Sequence, residues 1–248
     1  MSNKILFGFH ALTVRLKTAP ASIIEIHFDT GRRDQRMRQF VDRARDAGAR
    51  LIESDDDRLG KLSGSQRHQG VVARAEPIAR SGSIDDLLDE VEGEGAPLLL
   101  VLDGVTDPHN LGACLRVADG AGVHAVMAPK DHAAGINATV SKVSSGASES
   151  VPYFMVTTLA RSIGELKERD IRVIGLSGDA EKSLYDVDLT GPVALVLGAE
   201  GTGMRQLTRK SCDELVRLPM LGAVESLNVS VASGICLYEA VRQRSSGT

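Results

Sequence analysis

A chain of 248 residues, 42% of them hydrophobic, is long enough to bury one large core or two ordinary ones. No apolar run approaches the roughly 20 residues that cross a bilayer, and three isolated cysteines, Cys114, Cys212 and Cys236, have the spacing of neither a disulfide framework nor a zinc site. These features exclude a membrane span, a disulfide scaffold and a structural metal; with no basic-then-apolar stretch in residues 1–10, a cytoplasmic protein is expected. The net charge of −4 is uneven, with +4 on residues 1–76 and −8 on residues 77–248. That asymmetry suggests a polyanion partner for the first part, with a solvated basic surface as the plain alternative.

In chain order, residues 9–17 have a helical pattern. Residues 22–28 alternate apolar and polar side chains with β-branched content, as a strand does. Residues 34–47 form an amphipathic helix: Met37, Phe40, Val41, Ala44 and Ala47 share one face, and Arg36, Arg38, Arg43 and Arg45 lie on the others, after Arg32 and Arg33. Residues 49–53 and 71–75 read as strands. The polar stretch 65–70 between them reads as a loop, with His68 as a surface residue or, beside Arg67 and Gln69, an RNA contact. Residues 77–97 read as a linker, bracketed by Pro77 and Pro97, around a short acidic helix that Ser83 and Asp86 would box and that presents a solvated face.

From residue 98 onward strands alternate with helices. Strands are expected over 98–102, 124–127, 151–156, 171–176, 193–197 and 215–218. Helices are expected over 111–121 with Asn110 as cap, 137–146, 159–169 with Thr158 as cap, and 227–244 with Ser226 as cap. Such alternation implies an α/β domain with a mostly parallel sheet, whose ligands sit beyond the carboxyl ends of its strands.

Three polar stretches follow strands. In LDGVTDPHNLGACLR (102–116), Arg116 shares a helical face with Gly112, Ala113, Asp119 and Gly120, small enough to admit a substrate or another chain; an Arg116–Asp119 surface pair is the plain alternative. In LVLGAEGTGM (195–204), glycines follow an apolar strand, which suits either a ligand-approaching backbone or a tight turn. In LPMLGAVESLNVSVA (218–232), Leu218, Met220 and Leu227 suggest an apolar slot marked by Ser226 and Asn228. No dinucleotide or P-loop fingerprint is present.

Together these three stretches resemble the motifs of the SpoU, or TrmH-type, RNA 2′-O-ribose methyltransferases. The likeness continues through residues 122–152 and 234–246, and GFHAL (8–12) and HQGVVAR (68–74) resemble the family's substrate-binding domain. The resemblance implies a SPOUT-type parallel sheet with a C-terminal trefoil knot over 98–248, a linker over 77–97, and a small L30e-like RNA-binding domain over 1–76. It implies S-adenosylmethionine as methyl donor, no metal, and a homodimer with each active site at the subunit interface. Catalytic positions fall on Arg116, Asn110, Glu200, Ser226 and Asn228, and cofactor positions on Gly198, Leu218, Leu227, Met220 and Leu176. The substrate implied is a guanosine ribose in the peptidyl-transferase region of 23S rRNA, free or in a pre-ribosomal particle. The alternatives are the same chemistry on tRNA or another rRNA site, and a non-enzymatic RNA-binding assembly factor.

Overall fold

The structure is a computed structural model that describes residues 3–77, 82–93 and 95–245. The chain divides into two units, Met1–Arg80 and Ser81–Thr248.

The first unit carries a four-stranded sheet in the order β1 (Lys4–Phe7), β4 (Val71–Ala75), β2 (Ile23–Asp29), β3 (Leu51–Ser54). β4 runs antiparallel to both neighbours, while β2 and β3 are parallel, joined by a crossover through α2 (Gln35–Asp46). Alternation along the strands sorts their side chains. Leu6, Ile26, Val71, Ala73 and Ala75 meet α1 (Phe9–Thr18) and α2 through Phe9, Leu12, Leu16, Met37, Phe40 and Ala44. The helix α3 (Asp56–Ser63), which precedes the polar stretch 65–70, packs against β1, β2 and β4 and buries Leu59. Its eight residues are too short for periodicity to show. His68 is buried rather than exposed: its Nδ1 accepts the Gly70 N–H at 3.1 Å, and its Nε2 lies 3.5 Å from Asp56. It holds the turn before β4, so neither the surface reading nor the RNA-contact reading of His68 survives.

The second unit is a six-stranded parallel sheet in the order β10 (Glu214–Val216), β8 (Arg172–Leu176), β9 (Val193–Gly198), β5 (Leu98–Asp103), β6 (Ala125–Pro129), β7 (Tyr153–Val156). The run Leu98–Asp103 is buried throughout because helices cover both faces. Leu98, Leu100 and Leu102 pack toward α5 (Pro108–Gly120), α6 (Ala138–Val143) and α10 (Val229–Ser245). Leu99 and Val101 pack toward α4 (Ile84–Glu90) and α8 (Leu159–Glu168). The capping box of Ser83 and Asp86 forms as expected. The acidic helix it starts is not simply solvated, however: Ile84, Leu87 and Leu88 are buried, while Asp85 and Asp89 pair with Arg169. The stretch expected as one helix over 137–146 is α6, capped by Asn137, followed after left-handed Ser145 and Gly146 by α7 (Ala147–Ser150). No helix among the described residues is long and apolar enough to cross a membrane.

Candidate active site

All six strands point the same way, so their carboxyl ends share one edge. Val216 and Leu176 end neighbouring strands there, as do Gly198 and Asp103. The polar stretches singled out from the sequence are the loops over this edge.

Asn110, Glu200 and Asn228, up to 118 residues apart, form one hydrogen-bonded cluster. Asn228 Nδ2 donates to Asn110 Oδ1 at 2.9 Å and also to Glu200 Oε1. The same carboxylate oxygen accepts from the Val229 N–H at 3.1 Å and, more loosely, from Asn110 Nδ2 at 3.5 Å. A carboxylate at the first N–H of α10 is favoured by the positive end of that helix. Asn228 Oδ1 accepts from Ser230 N at 2.9 Å and Ser230 Oγ at 2.6 Å.

This geometry corrects two expected caps. Asn228, not Ser226, caps the last helix: α10 starts at Val229, Asn228 Oδ1 accepts from Ser230 N and its carbonyl from Ala232 N, while Ser226 is exposed farther up the chain. Asp107, not Asn110, caps α5, accepting from His109 N at 2.8 Å, with Pro108 as first helical residue. Asn110 is thereby freed to reach Glu200 and Asn228.

Arg116 is exposed on α5 and has no hydrogen bond or ion pair among the described residues. The plain reading, an Arg116–Asp119 pair, does not form; Asp119 accepts instead from Ser150 Oγ. Of the small residues beside Arg116, Gly112 is buried, whereas Ala113 is half-buried and Gly120 exposed. A Cβ on Gly112 would lie 2.7 Å from Val143 Cβ, and one on Gly120 would lie 3.0 Å from the Tyr238 hydroxyl. Those glycines let α6 and α10 of the same chain approach. Among the described residues no contact joins Arg116 or Ser226 to the Asn110–Glu200–Asn228 cluster.

The glycine loop after β9 is a tight reversal. Gly203 N donates to Ala199 O at 2.9 Å, and Gly201 and Gly203 have φ of 78° and 67°. A Cβ on Gly198 would fall within 3.0 Å of Gly203 C, Gly203 O and Met204 N, all backbone atoms. The loop's own fold requires glycine at 198, as the tight-turn reading expects.

Leu176, Leu218 and Leu227 are half-buried and pack against the same core cluster. Met220 is half-buried but belongs to neither cluster of this unit. Among the described residues, 218–227 make no backbone-to-backbone hydrogen bond, and Leu221 and Val224 are 98% and 63% exposed. The segment thus presents apolar side chains and free peptide groups together.

Sequence reasoning missed the braces beneath these loops. Asp103, fully buried at the end of β5, accepts from Arg205 N at 2.8 Å and lies 3.6 Å from Arg205 Nε. Arg209 of α9 (Gln206–Ser211) forks onto Asp179, at 2.9 and 3.0 Å, and donates to Ser177 Oγ at 2.8 Å. That fork holds the Asp179 carboxyl at about 2, well below the usual carboxylate range, with help from Ser177. An Asp ending an apolar strand run was the one available signal for the first brace; the second joins a loop to a helix too short to detect. Burial pushes the Cys114 and Cys212 thiols to about 11 and Cys236 to about 12, so none is a nucleophile near neutrality. Among the described residues no group of three or more His, Cys, Asp and Glu could hold a metal ion.

Residues 97–238 match the SpoU rRNA methylase family. The chain belongs to that family. Residues 5–80 match the RNA 2′-O ribose methyltransferase substrate-binding domain. SpoU relatives of nearly equal length include two named 23S rRNA (guanosine-2′-O-)-methyltransferase RlmB. That of Ralstonia nicotianae is 61% identical, covering 98% of this chain and 97% of the relative, and that of a Burkholderia species is 59% identical, covering 97% of each. The SpoU methyltransferase AviRb from Streptomyces viridochromogenes, solved with the cofactor AdoMet, matches with a TM-score of 0.76 at 25% identity, over 99% of this chain and 92% of that one.

Proposed function

We propose that this SpoU protein transfers a methyl group from S-adenosylmethionine to the ribose 2′-oxygen of a guanosine in the peptidyl-transferase region of 23S rRNA. The observation that carries the reading is the cluster of Asn110, Glu200 and Asn228, which ties the three motif loops together over the carboxyl edge of the sheet. The relatives named above, alike over nearly the whole chain, support the substrate.

The slot suits the donor chemically. Leu176, Leu218 and Leu227 offer an apolar bed for a purine, and the unpaired peptide groups of 218–227 suit its ring nitrogens and ribose hydroxyls. Gly198 keeps the neighbouring loop tight, and half-buried Met220, two residues after Leu218, is available to the donor from the same segment. When bound, S-adenosylmethionine supplies an electrophilic methyl on a sulfonium. The chain's task is to hold the 2′-oxygen in line with it at near-contact distance. Arg116 cannot accept the 2′-OH proton, because its guanidinium stays protonated. It binds the adjacent phosphate and stabilises the negative charge that develops on the 2′-oxygen as its proton passes to water or to another group. Asn110 and Ser226 orient ribose or phosphate, while Asn228 and Glu200 fix the loops.

The finer architecture follows the family. β9 lies between β8 and β5, β10 lies outside β8, and α10 returns to pack on α5 and β9, an arrangement that supports the trefoil knot. Val231 and Tyr238, each 51% exposed and seven residues apart on α10, support a homodimer in which Arg116 meets the partner's cofactor site. The mixed four-stranded sheet of the first unit supports the L30e-like assignment, with 77–97 as the connection and 98–248 as the methyltransferase domain. A pre-ribosomal particle as substrate and a cytoplasmic location are part of the same reading.

The experiment is methyl incorporation into purified 23S rRNA, 16S rRNA and tRNA, with Arg116→Ala and Arg116→Lys alongside. The proposal expects transfer to 23S rRNA alone. It expects Arg116→Ala to lose transfer, with S-adenosylmethionine binding retained, and Arg116→Lys to stay far below wild type. Transfer to tRNA instead, or loss of cofactor binding in Arg116→Ala, overturns it.

A further inference from the structure

Two sequence motifs, GFH (8–10) and HQG (68–70), take no part in methyl transfer, yet the fold brings them together with the arginines that start α2. Phe9 is buried at the start of α1, edge-on to Phe40 with ring centroids 5.4 Å apart. Its ring is covered by two guanidinium groups, Arg32 at 5.0 Å and Arg36 at 4.7 Å from the centroid. Arg36 stands one helical turn before Phe40 on α2, which is why its side chain reaches this ring.

Both arginines are held in place. Arg32 Nη1 donates to the Gln69 carbonyl at 2.7 Å, and a Cβ on Gly70 would lie 3.2 Å from Arg32 Cδ, so only glycine there leaves the stem its path. Gln69 sits in the left-handed region at φ 55° and accepts the Phe9 N–H on its Oε1 at 3.3 Å. Arg36 Nη2 donates to His10 Nε2 at 3.2 Å, which leaves the His10 proton on Nδ1. Asp34 pairs with Arg32, but Arg36 meets no carboxylate among the described residues, and exposed Arg33 adds charge alongside.

Two like charges over one ring repel each other. Ordinary surface arginines disperse into water, whereas these are fixed by stacking, by a strained Gln69 and by a glycine. Asp34 offsets only part of this charge, and an anion set between the two would relieve the rest: Arg36 meets it through the N–H groups left by His10, and Arg32, whose Nε and Nη1 are taken by Asp34 and Gln69, through its Nη2. We propose that Arg32 and Arg36, stacked on Phe9 and framed by His10 and Gln69, are a seat for a phosphodiester of the substrate RNA. The inference rests on the reading of this chain as an RNA methyltransferase and names the atoms of its substrate-binding unit that take the backbone.

The test is binding of a fluorescently labelled 23S rRNA fragment to the full-length protein across a salt series, with methyl transfer measured in parallel. Each phosphate contact contributes about 0.7–0.9 to the slope of log affinity against log salt. Arg32→Gln with Arg36→Gln flattens that slope by about 0.7–0.9, the share of one phosphate, and weakens binding at low salt. KM for RNA rises, while kcat at saturating RNA and S-adenosylmethionine affinity stay at wild type. Arg36→Lys keeps the slope and loses part of the affinity. Arg38→Gln, which removes an exposed charge from another face of α2, leaves the slope within a few tenths. A wild-type slope in the double variant overturns the seat, and so does equal flattening by Arg38→Gln, which would reduce the effect to net charge. If the wild type binds this RNA but methylates none of it, the proposed function fails while the slope comparison still decides the seat.

Discussion

Gly198→Ala is the sharpest perturbation of the motif loops. The added methyl would meet three backbone atoms of Gly203 and Met204 inside 3.0 Å, where ordinary contact begins at 3.4 Å, and no rotamer change relieves a backbone clash. The loop must open, which strains Gly203 N→Ala199 O and draws Arg205 N away from the buried Asp103 carboxylate. Overpacking costs about 1–3 kcal/mol, and a buried acceptor losing its donor about 1–3 kcal/mol more. A total of about 3 kcal/mol or more lowers Tm by roughly 6–12 °C in a unit of this size. Gly201→Ala is the matched control: its φ of 78° is strained for alanine, but nothing lies within 4 Å of the new methyl. It should cost about 1–2 kcal/mol. Calorimetric melting and S-adenosylmethionine titration of both variants make the comparison. Gly198→Ala should melt well below Gly201→Ala and lose the cofactor. Equal melting temperatures with cofactor affinity intact would refute the reasoning that Gly198 is there for loop closure.

Two further outcomes are expected. Arg244 near the end of α10 donates to four carbonyls, Leu189 at 3.1 Å, Ala96 at 2.8 Å, Pro97 at 3.2 Å and Gly191 at 2.7 Å. Arg244→Ala should cost about 2–3 kcal/mol in urea unfolding, and Arg244→Lys should not restore it, because one ammonium cannot reach all four. The Asp179 carboxyl, held at about 2 by Arg209, is depressed below its ordinary value of 3.8, so its contribution is present above that value and lost as pH falls toward 2. Asp179→Asn should remove that part of the acid sensitivity of folding stability, measured by urea unfolding from about pH 5 downward.

The strands of the second unit were legible because a parallel sheet covered on both faces needs continuous apolar runs, as in 98–102 and 193–197. The amphipathic α2 was legible from Met37, Phe40 and Ala44. What stayed hidden was short or held by distant partners. β1, α3 and α9 have too few residues for a period to emerge. The caps expected at Ser226 and Asn110 fall instead on Asn228 and Asp107, two and three residues away, because several capping residue types stand close together before each helix and local pattern does not rank them. The small residues beside Arg116 are visible as composition, yet only the fold reveals that Gly112 admits Val143 and Gly120 admits the Tyr238 hydroxyl. Asn110, Glu200 and Asn228 were found through their motifs, whereas the bond network joining them is a property of the fold.

The central claim is that loops over the carboxyl edge of this sheet deliver a methyl group to a ribose oxygen of 23S rRNA. Mapping of 2′-O-methyl groups in total RNA from a strain lacking this protein tests it most directly. The account predicts the loss of one 2′-O-methylguanosine in the peptidyl-transferase region of 23S rRNA, restored by the wild-type chain and not by Arg116→Ala. An unchanged 23S map, or a mark lost from a base atom or from tRNA, would contradict it.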